Sequence, residues 1–489
     1  MTMSPRPLLL TLTAALLAAC QSTTITTASK IPLPAAYENA PAATQPDDIS
    51  RWWRQWQDPV LDRLIARALA HNPDIAIARS RLQEARATAR LADADLGPTV
   101  GLGADARRLD TNLQNPISAD SRDLLAQNPL AGSIRDNRLQ KHADILGLSL
   151  SASWEPDLFG QKQSDADAAR HAALASSEQT HAAQLLISAE LADQYHRARA
   201  AEARARAADT TIATLEKLAR YIDARYRAGH TTAYEKDEIA SRLSAAKAKR
   251  STLDAEKNAA VRAIAILCGD TPQHYRLPDS PRDTLAHPPA APRGQTPQGL
   301  IERRPDLRAR AAETQAYAAK LASAKADLLP RIKLDFLGQG VLNIDGDHAL
   351  KGWMSLLTAG IQVPIYTHGR IQTNIDAADA RLKTALLQYD RTLLQALADV
   401  DNAYQGEAAL AEQERHLSEA LANAKQQAAD AEKLYRYGNK TLAEALTARL
   451  NAVQTEEALI QNRLAHAQML TALYKALGGG WTADDTSHP

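Results

Sequence analysis

The residue whose setting most plainly invites chemistry is Cys20. It closes Leu17-Ala18-Ala19-Cys20 after a short apolar stretch, Leu8–Leu17, that itself follows Arg6. This is the layout of a secretory signal with a lipobox, whose cysteine becomes the acylated first residue of the mature chain. Gln21, rather than Asp, stands next, which fits passage to an outer membrane. Enzymatic chemistry finds no comparable setting. The 13 histidines include no His-Glu-x-x-His pair, no Gly-x-Ser-x-Gly elbow occurs, and Gly101-Leu102-Gly103 lacks the third glycine of a dinucleotide loop. Cys268 is the only cysteine besides Cys20, so it serves neither a disulfide within one mature chain nor a CxxC metal site and reads as a buried, inert thiol. Neither an enzyme activity nor a cofactor or metal is expected. Trp52, Trp53 and Trp56 could line a binding cage, but a cluster packing the first helix is the plainer reading.

A second kind of work, electrostatic and conformational, is suggested by two short motifs. Thr232-Ala233-Tyr234-Glu235 and Thr441-Leu442-Ala443-Glu444 are both Thr-x-x-Glu capping boxes, each starting three residues after a glycine, Gly229 or Gly438. Each predicts a tight turn from which a returning helix begins. Tyr226-Arg227 precedes the first turn and Tyr435-Arg436-Tyr437 the second.

The elements that carry these turns come from an internal repeat. Asn72-Pro73-Asp74-Ile75 recurs as Arg304-Pro305-Asp306-Leu307, and Pro98 recurs as Pro330, both at a spacing of 232. From Gly160 onward the spacing is 209: Gly160 with Gly369, Tyr195 with Tyr404, Gly229 with Gly438, Gly269 with Gly478. The 23-residue difference lies between Pro98 and Gly160 and marks a longer loop in the first copy. Such self-similarity signals a tandem architecture. Within it, 68 residues separate Gly160 from Gly229 without a Gly or Pro, and 68 more separate Gly369 from Gly438, interrupted only by Gly406. Breaker-free runs 230–268 and 439–477 follow. At 1.5 Å per residue the longer runs predict helices of roughly 100 Å, paired into hairpins. A chain with two Phe and so much Ala suits close helix–helix packing rather than a thick core, and Tyr195 and Tyr404 are expected to pack helix to helix.

Four segments read as strands. Leu146, Leu148, Leu150, Ala152 and Trp154 alternate with Gly147, Ser149, Ser151 and Ser153, and similar alternation begins at Val100, Ile332 and Leu357. Pro98 and Pro330 open the first strand of each copy, and Pro156 and Pro364 close the second. Each run is close to the ~9–11 residues that cross a bilayer as a strand, with Trp154 and Trp353 placed for an interfacial girdle. Four strands cannot close a membrane barrel, since about eight are needed to leave no open edge in lipid. The chain must therefore oligomerise if they span, and three copies would leave a lumen wide enough for solute. Apart from the leader there is no apolar stretch of 18 residues, so no transmembrane helix is expected. Lys plus Arg and Asp plus Glu both total 57, which gives net charge no pull toward nucleic acid.

Four motifs, Trp52-Trp53-Arg54-Gln55-Trp56-Gln57-Asp58-Pro59, Trp154-Glu155-Pro156-Asp157-Leu158-Phe159-Gly160, Leu300-Ile301-Glu302-Arg303-Arg304-Pro305-Asp306-Leu307 and Leu473-Tyr474-Lys475-Ala476-Leu477-Gly478-Gly479-Gly480-Trp481, lie in order on this repeat. Together they resemble the lipoprotein branch of the TolC/OprM outer-membrane efflux family, over about Trp52 to Trp481. The resemblance implies an α+β membrane fold: a homotrimer whose twelve-stranded β-barrel in the outer membrane continues into a periplasmic α-helical barrel. It divides the chain into a signal peptide, 1–19; an acylated strap, 20–50; a first repeat, 51–269, with strands about 98–109 and 144–155. A Pro-rich equatorial linker, 270–297, leads to a second repeat, 298–481, with strands about 330–341 and 353–364, and a tail, 482–489. A helix over 57–95 is expected to feed the first strand, and 110–143 to form the longer external loop.

The same resemblance implies a passive exit duct for small molecules, lipid-anchored through Cys20 and served by a periplasmic adaptor and an inner-membrane pump. An exit channel for type I protein secretion and a lipid-anchored coiled-coil scaffold without a pore are the alternatives. It makes the helix tips the gate and adaptor contact. The candidates are Tyr226, Arg227, Gly229, Thr232 and Glu235 at the first turn, and Tyr435, Arg436, Tyr437, Gly438, Thr441, Glu444, Thr447 and Arg449 at the second. Related channels commonly carry an Asp before an Ala-Gln pair where this chain has Thr447-Ala448-Arg449, which puts a carboxylate ring there in question and leaves Glu444 as its substitute. If even positions of 145–154 face lipid, Leu148→Arg should cost about 2–4 kcal/mol near mid-membrane and reduce assembly, whereas Ser149→Arg should be tolerated. Equal yields of assembled protein from both variants would reject the strand.

Overall fold

A computed structural model of the chain describes residue 25 and residues 27–114, 117–125, 138–343 and 351–481. Cys20, the leader 1–19 and the tail 482–489 lie outside the described residues. The chain begins its ordered helices at a 3-10 turn, Trp52–Trp56, followed by α1, Pro59–His71. Asp58 caps α1 by accepting the Val60 amide at 2.8 Å, and Pro59 fills the first helical position, where its missing N–H costs nothing. Val60, Leu61, Leu64, Ile65 and Ala68 make its buried stripe.

The single helix expected over 57–95 is two helices. Asn72 ends α1 in an extended conformation, and its Oδ1 accepts the amides of Asp74 and Ile75, so that Pro73 opens α2, Pro73–Ala94. The second copy breaks at the same place: α6, Pro297–Arg303, stops at Arg304, and Pro305 opens α7, Pro305–Ala326. Proline disfavours helical geometry in the residue before it and supplies no donor. Each break is held by the end of a distant helix. After each break come a rod and its return leg: α4, Gln161–Arg227, and α5, Ala233–Leu267, after the first, and α8, Arg370–Arg436, and α9, Leu442–Ala476, after the second. The Asn72 amide donates to the carbonyl of Leu267, the last residue of α5, at 2.9 Å, and the Arg304 guanidinium to that of Ala476, the last of α9, at 3.2 Å. Gly269 and Gly478, just beyond, close on the same breaks.

The four helices end alike. Gly229, Gly269, Gly438 and Gly478 all have φ between 74° and 77°. After α4, His230 N–H donates to Arg225 at 2.8 Å and Gly229 N–H to Tyr226 at 3.0 Å; after α8, Asn439 donates to Leu434 and Gly438 to Tyr435 at the same distances. These are Schellman closures. The two rods are 67 residues each and the two returning helices 35 each.

Four strands form one antiparallel sheet in the order β1-β2-β3-β4: Thr99–Gln114, Arg138–Trp154, Arg331–Asn343 and Lys351–Gln362. Register aligns Leu102 with Leu150, Leu150 with Gly338, Ala152 with Phe336 and Phe336 with Leu357, so the alternating apolar residues of neighbouring strands share a face. Leu102, Leu148, Leu150, Trp353 and Leu357 stand exposed on it. The opposite face carries Ser149 and Ser151, whose hydroxyls reach the carbonyls of Gly103 and Gly101, and Ser153, which donates to Asp335 at 2.7 Å. Three strands outrun their expected ends: β1 continues past 109 to Gln114, β2 begins at Arg138 rather than 144, and β3 runs past 341 to Asn343. The 110–143 segment is therefore not all loop and also contains α3, Ala119–Leu125. Apolar alternation marks only the part of a strand with an apolar face, and the added residues, 110–114 and 138–143, are mostly polar; next to them Arg108 pairs with Asp144 at 2.9 Å. At the other edge β4 is displaced two residues from the expected 353–364.

Two compact units result: residues 1–86, 171–315 and 383–489, and residues 87–170 and 316–382. The second holds the sheet. The first holds the main core, where Trp52 and Trp56 are fully buried and Trp52 stacks on Tyr474 with centroids 5.3 Å apart. There Tyr195 donates to the buried Asp58 carboxylate, and Tyr404 donates to the Pro292 carbonyl at 2.7 Å. Cys268 is buried with its thiol held high, to about 11, by desolvation. No helix among the described residues is long and apolar enough to cross a membrane.

The glycine closures predict two sizes of effect. A Cβ at Gly229 or Gly438 would meet nothing within 4 Å, so alanine there should cost only backbone strain, about 1 kcal/mol. At Gly269 the Cβ would meet the His71 carbonyl oxygen at 2.6 Å and at Gly478 the Arg304 Cα at 2.8 Å; both alanine variants should lose more. Thermal unfolding of the four variants in detergent checks the ranking, and equal losses would refute it.

Candidate functional site

The candidate residues at the two turns sit on helices that pack against each other. Leu218 and Ile222 of α4, Ile239 of α5 and Leu446 of α9 form a small buried cluster, with Leu442 and Ala443 packed against it. Both turns therefore belong to one apolar assembly rather than to two free hairpins.

The two capping motifs differ in what they complete. Thr441 accepts the Glu444 amide at 3.2 Å while the Glu444 carboxylate accepts the Thr441 N–H at 2.8 Å, a full reciprocal box. Thr232 accepts the Glu235 amide at 3.4 Å, and only that half is made. The expectation of two capping boxes is met at the second turn and corrected at the first. In its place the first turn uses a side chain across the hairpin: Lys236 Nζ lies 3.1 Å from Asp223 and 5.1 Å from the Tyr226 ring centroid, while within α4 Arg227 pairs with Asp223 at 2.6 Å. The Lys236 hydrogen bond, with Arg227 beside it, holds the Asp223 carboxyl below its ordinary value.

At the second turn the candidates separate into two grooves. Tyr435, Arg436 and Arg449 line a cavity of about 480 Å³ with Lys217 of α4 and with Lys425, Glu432 and Glu456. Arg436 pairs with Glu432 at 2.7 Å and Lys425 with Glu456 at 3.0 Å, so Lys217 and Arg449 add positive charge that these pairs do not neutralise. Glu444 and Thr447 instead line a cavity of about 720 Å³ between α8 and α9, with Asp430 and Lys440. A two-residue step along a helix turns about 200°, which is why Thr447 and Arg449 do not share a face. The Glu444 carboxyl is held below its ordinary value first by the Thr441 backbone bond, and Lys440 is 3.5 Å away. It is an ionised carboxylate committed to its own helix start.

Tyr437 is 81% exposed, and Tyr234, which the sequence reading passed over, is 76% exposed. Glu432 with Arg436 was legible as an i,i+4 pair; Lys217, brought from the other repeat, left no signal near the turn. Among the described residues no group of three or more His, Cys, Asp or Glu is placed to hold a metal ion.

Similarity to known proteins agrees with this construction. The family model described as outer membrane efflux protein matches residues 64–270 and 296–479. The chain is 28% identical to the pyoverdine export outer membrane protein OpmQ of Pseudomonas aeruginosa, across 96% of both chains. It is 30% identical to the outer membrane protein OprJ of the same species, across 87% of this chain and 85% of that one. The solved structure of the outer-membrane channel OprN superposes with a TM-score of 0.77 at 25% identity, covering 93% of this chain and all of that one. With two successive segments matched in one polypeptide and rods, returns and strands to fill them, this chain belongs to the outer membrane efflux protein family.

Proposed function

We propose that the chain is the outer-membrane exit duct of a tripartite efflux pump and that it works as a trimer. The observation that carries this reading is the four-stranded sheet with an apolar face and two unpaired edges, β1 and β4. An open edge in lipid leaves N–H and C=O groups without partners, and three copies supply twelve strands for a closed wall. The two 67-residue rods and their 35-residue returns supply the continuation into the periplasm. The division into two repeats, 51–269 and 298–481, joined by the connector 270–297, belongs to the same reading.

The duct is passive. Energy and selection come from an inner-membrane pump and a periplasmic adaptor, and the cargo class is small molecules; relatives carry names such as pyoverdine export protein and toluene efflux pump outer membrane protein. Acylation at Cys20 anchors the amino terminus to outer-membrane lipid. The tips around Gly229 and Gly438 form the periplasmic gate and adaptor contact, with the cationic groove of Tyr435, Arg436, Arg449 and Lys217 as the part most exposed to a partner's charge. Thr447 carries no charge and Glu444 is tied to Thr441, so gating here relies on that groove rather than on a carboxylate ring.

The test is accumulation of a fluorescent pump substrate in cells lacking their own efflux channel, supplied with an adaptor–pump pair and with or without this chain. Accumulation should fall several-fold only when the chain is present. Unchanged accumulation with assembled trimer in the outer membrane would favour the type I secretion channel. A Cys20→Ser variant should still require detergent for extraction; release into buffer would favour the lipid-anchored scaffold instead.

A further inference from the structure

The second hairpin buries a histidine between two carboxylates of the helix it packs against. His466 on α9 directs Nδ1 at Glu414, 3.1 Å away, and Nε2 at Glu407, 3.3 Å away, both on α8. The imidazole side chain is 6% exposed and each carboxylate side chain 15%. An ionised carboxylate offers only acceptors, so both contacts are hydrogen bonds only when both ring nitrogens carry protons. A neutral ring would turn one lone pair toward a carboxylate in a site that water barely reaches.

The surroundings fix this geometry. Arg463 of α9 bonds Glu414 through Nε at 2.8 Å, and Asn462 donates to Gln413 of α8 at 2.7 Å. Met469 lies so close to Gly406 of α8 that a Cβ there would meet its Cε at 2.8 Å, so the helices have no slack beside the ring. From α4, Asp193 accepts the Gln468 amide at 2.5 Å and Arg204 lies 3.7 Å from Glu457. From the connector, Arg282 and Asp283 face Arg463 across a cavity. Desolvation lowers the ring's proton affinity, and the hydrogen bonds and charges of Glu407 and Glu414 outweigh it and raise that affinity. At the 209-residue spacing the first copy has Lys257, Ala198 and Ala205; Lys257 pairs with Glu202 at 3.0 Å, and the two alanines offer no carboxylate.

We propose that His466 is an imidazolium clasp between Glu407 and Glu414 that pins α8 to α9, and that loss of its proton loosens the second hairpin but not the first. The device is absent from one copy and present in the other, so it makes the two hairpins respond differently to pH. A ring that holds its proton more tightly when folded contributes stability that is complete below its unfolded value of 6.5 and is lost as pH rises through the higher folded value.

The experiment is thermal unfolding of the purified full-length protein in detergent from about pH 6 to about pH 9, for wild type, His466→Gln and Glu407→Gln. The other histidines contribute equally to all three, so the differences between curves are read. Wild type should lose Tm as pH rises; His466→Gln should start lower and approach wild type at the alkaline end. Glu407→Gln should move the wild-type fall to lower pH. Parallel curves for wild type and His466→Gln would overturn the clasp. If His466→Gln fails to assemble, Glu407→Gln decides, and an unmoved midpoint overturns it as well.

Discussion

Unpaired backbone groups along β1 and β4 constrain this molecule more than any side chain does. In water an open sheet edge is tolerable; in hydrocarbon each lost hydrogen bond costs several kcal/mol. On the proposed reading that the four strands lie in lipid, a single chain would leave both edges open there, and closure would have to come from neighbouring copies. The helices show the same incompleteness. Leu174, Leu186, Leu387 and Leu394 are more than half exposed in one chain, apolar surface along the two rods that the proposed trimer would have to cover.

Within the chain, accuracy comes from short-range devices repeated in both copies. A proline break follows α1 and α6, and a glycine closure follows α5 and α9; the residue before the proline bonds the last carbonyl of the returning helix. Asn72 does this with a carboxamide that also caps α2. Arg304 does it with a guanidinium that spans Ala476, Asp306 and Asp399. Two different side chains meet the same backbone demand, which shows that geometry rather than residue identity is what the two copies share.

Hairpins, turns and the sheet were legible in the sequence because glycine and proline delimit them and little else interrupts. The split between α1 and α2 was not, because it is completed by Asn72 reaching the Leu267 carbonyl of a distant helix, and no local pattern shows that contact. Strand ends escaped because polar residues extend the ladder of β1 and β2 beyond the apolar alternation. At the tips, residue types and rough positions were readable, but their grouping was not: Thr447 and Arg449 are neighbours in sequence and face different grooves. Contacts such as Lys217 beside Arg449, or His466 between Glu407 and Glu414, join residues more than 50 apart, and no local pattern announces them.

Equal lengths in the two hairpins set the rule for how such a chain can vary. One residue inserted into a 67-residue helix would turn everything after it by about 100° and advance it 1.5 Å, rotating a packed stripe into solvent. A change in one hairpin would also leave it out of step with the other. An insertion or deletion is therefore costly in a rod and less so beyond the ends of β1 and β2, which lie outside the rods. The 23-residue difference between the copies lies between Pro98 and Gly160, in the part that contains those strand ends. For an engineer this singles out the β1–β2 connection, rather than any rod, as the place to insert a tag or an epitope.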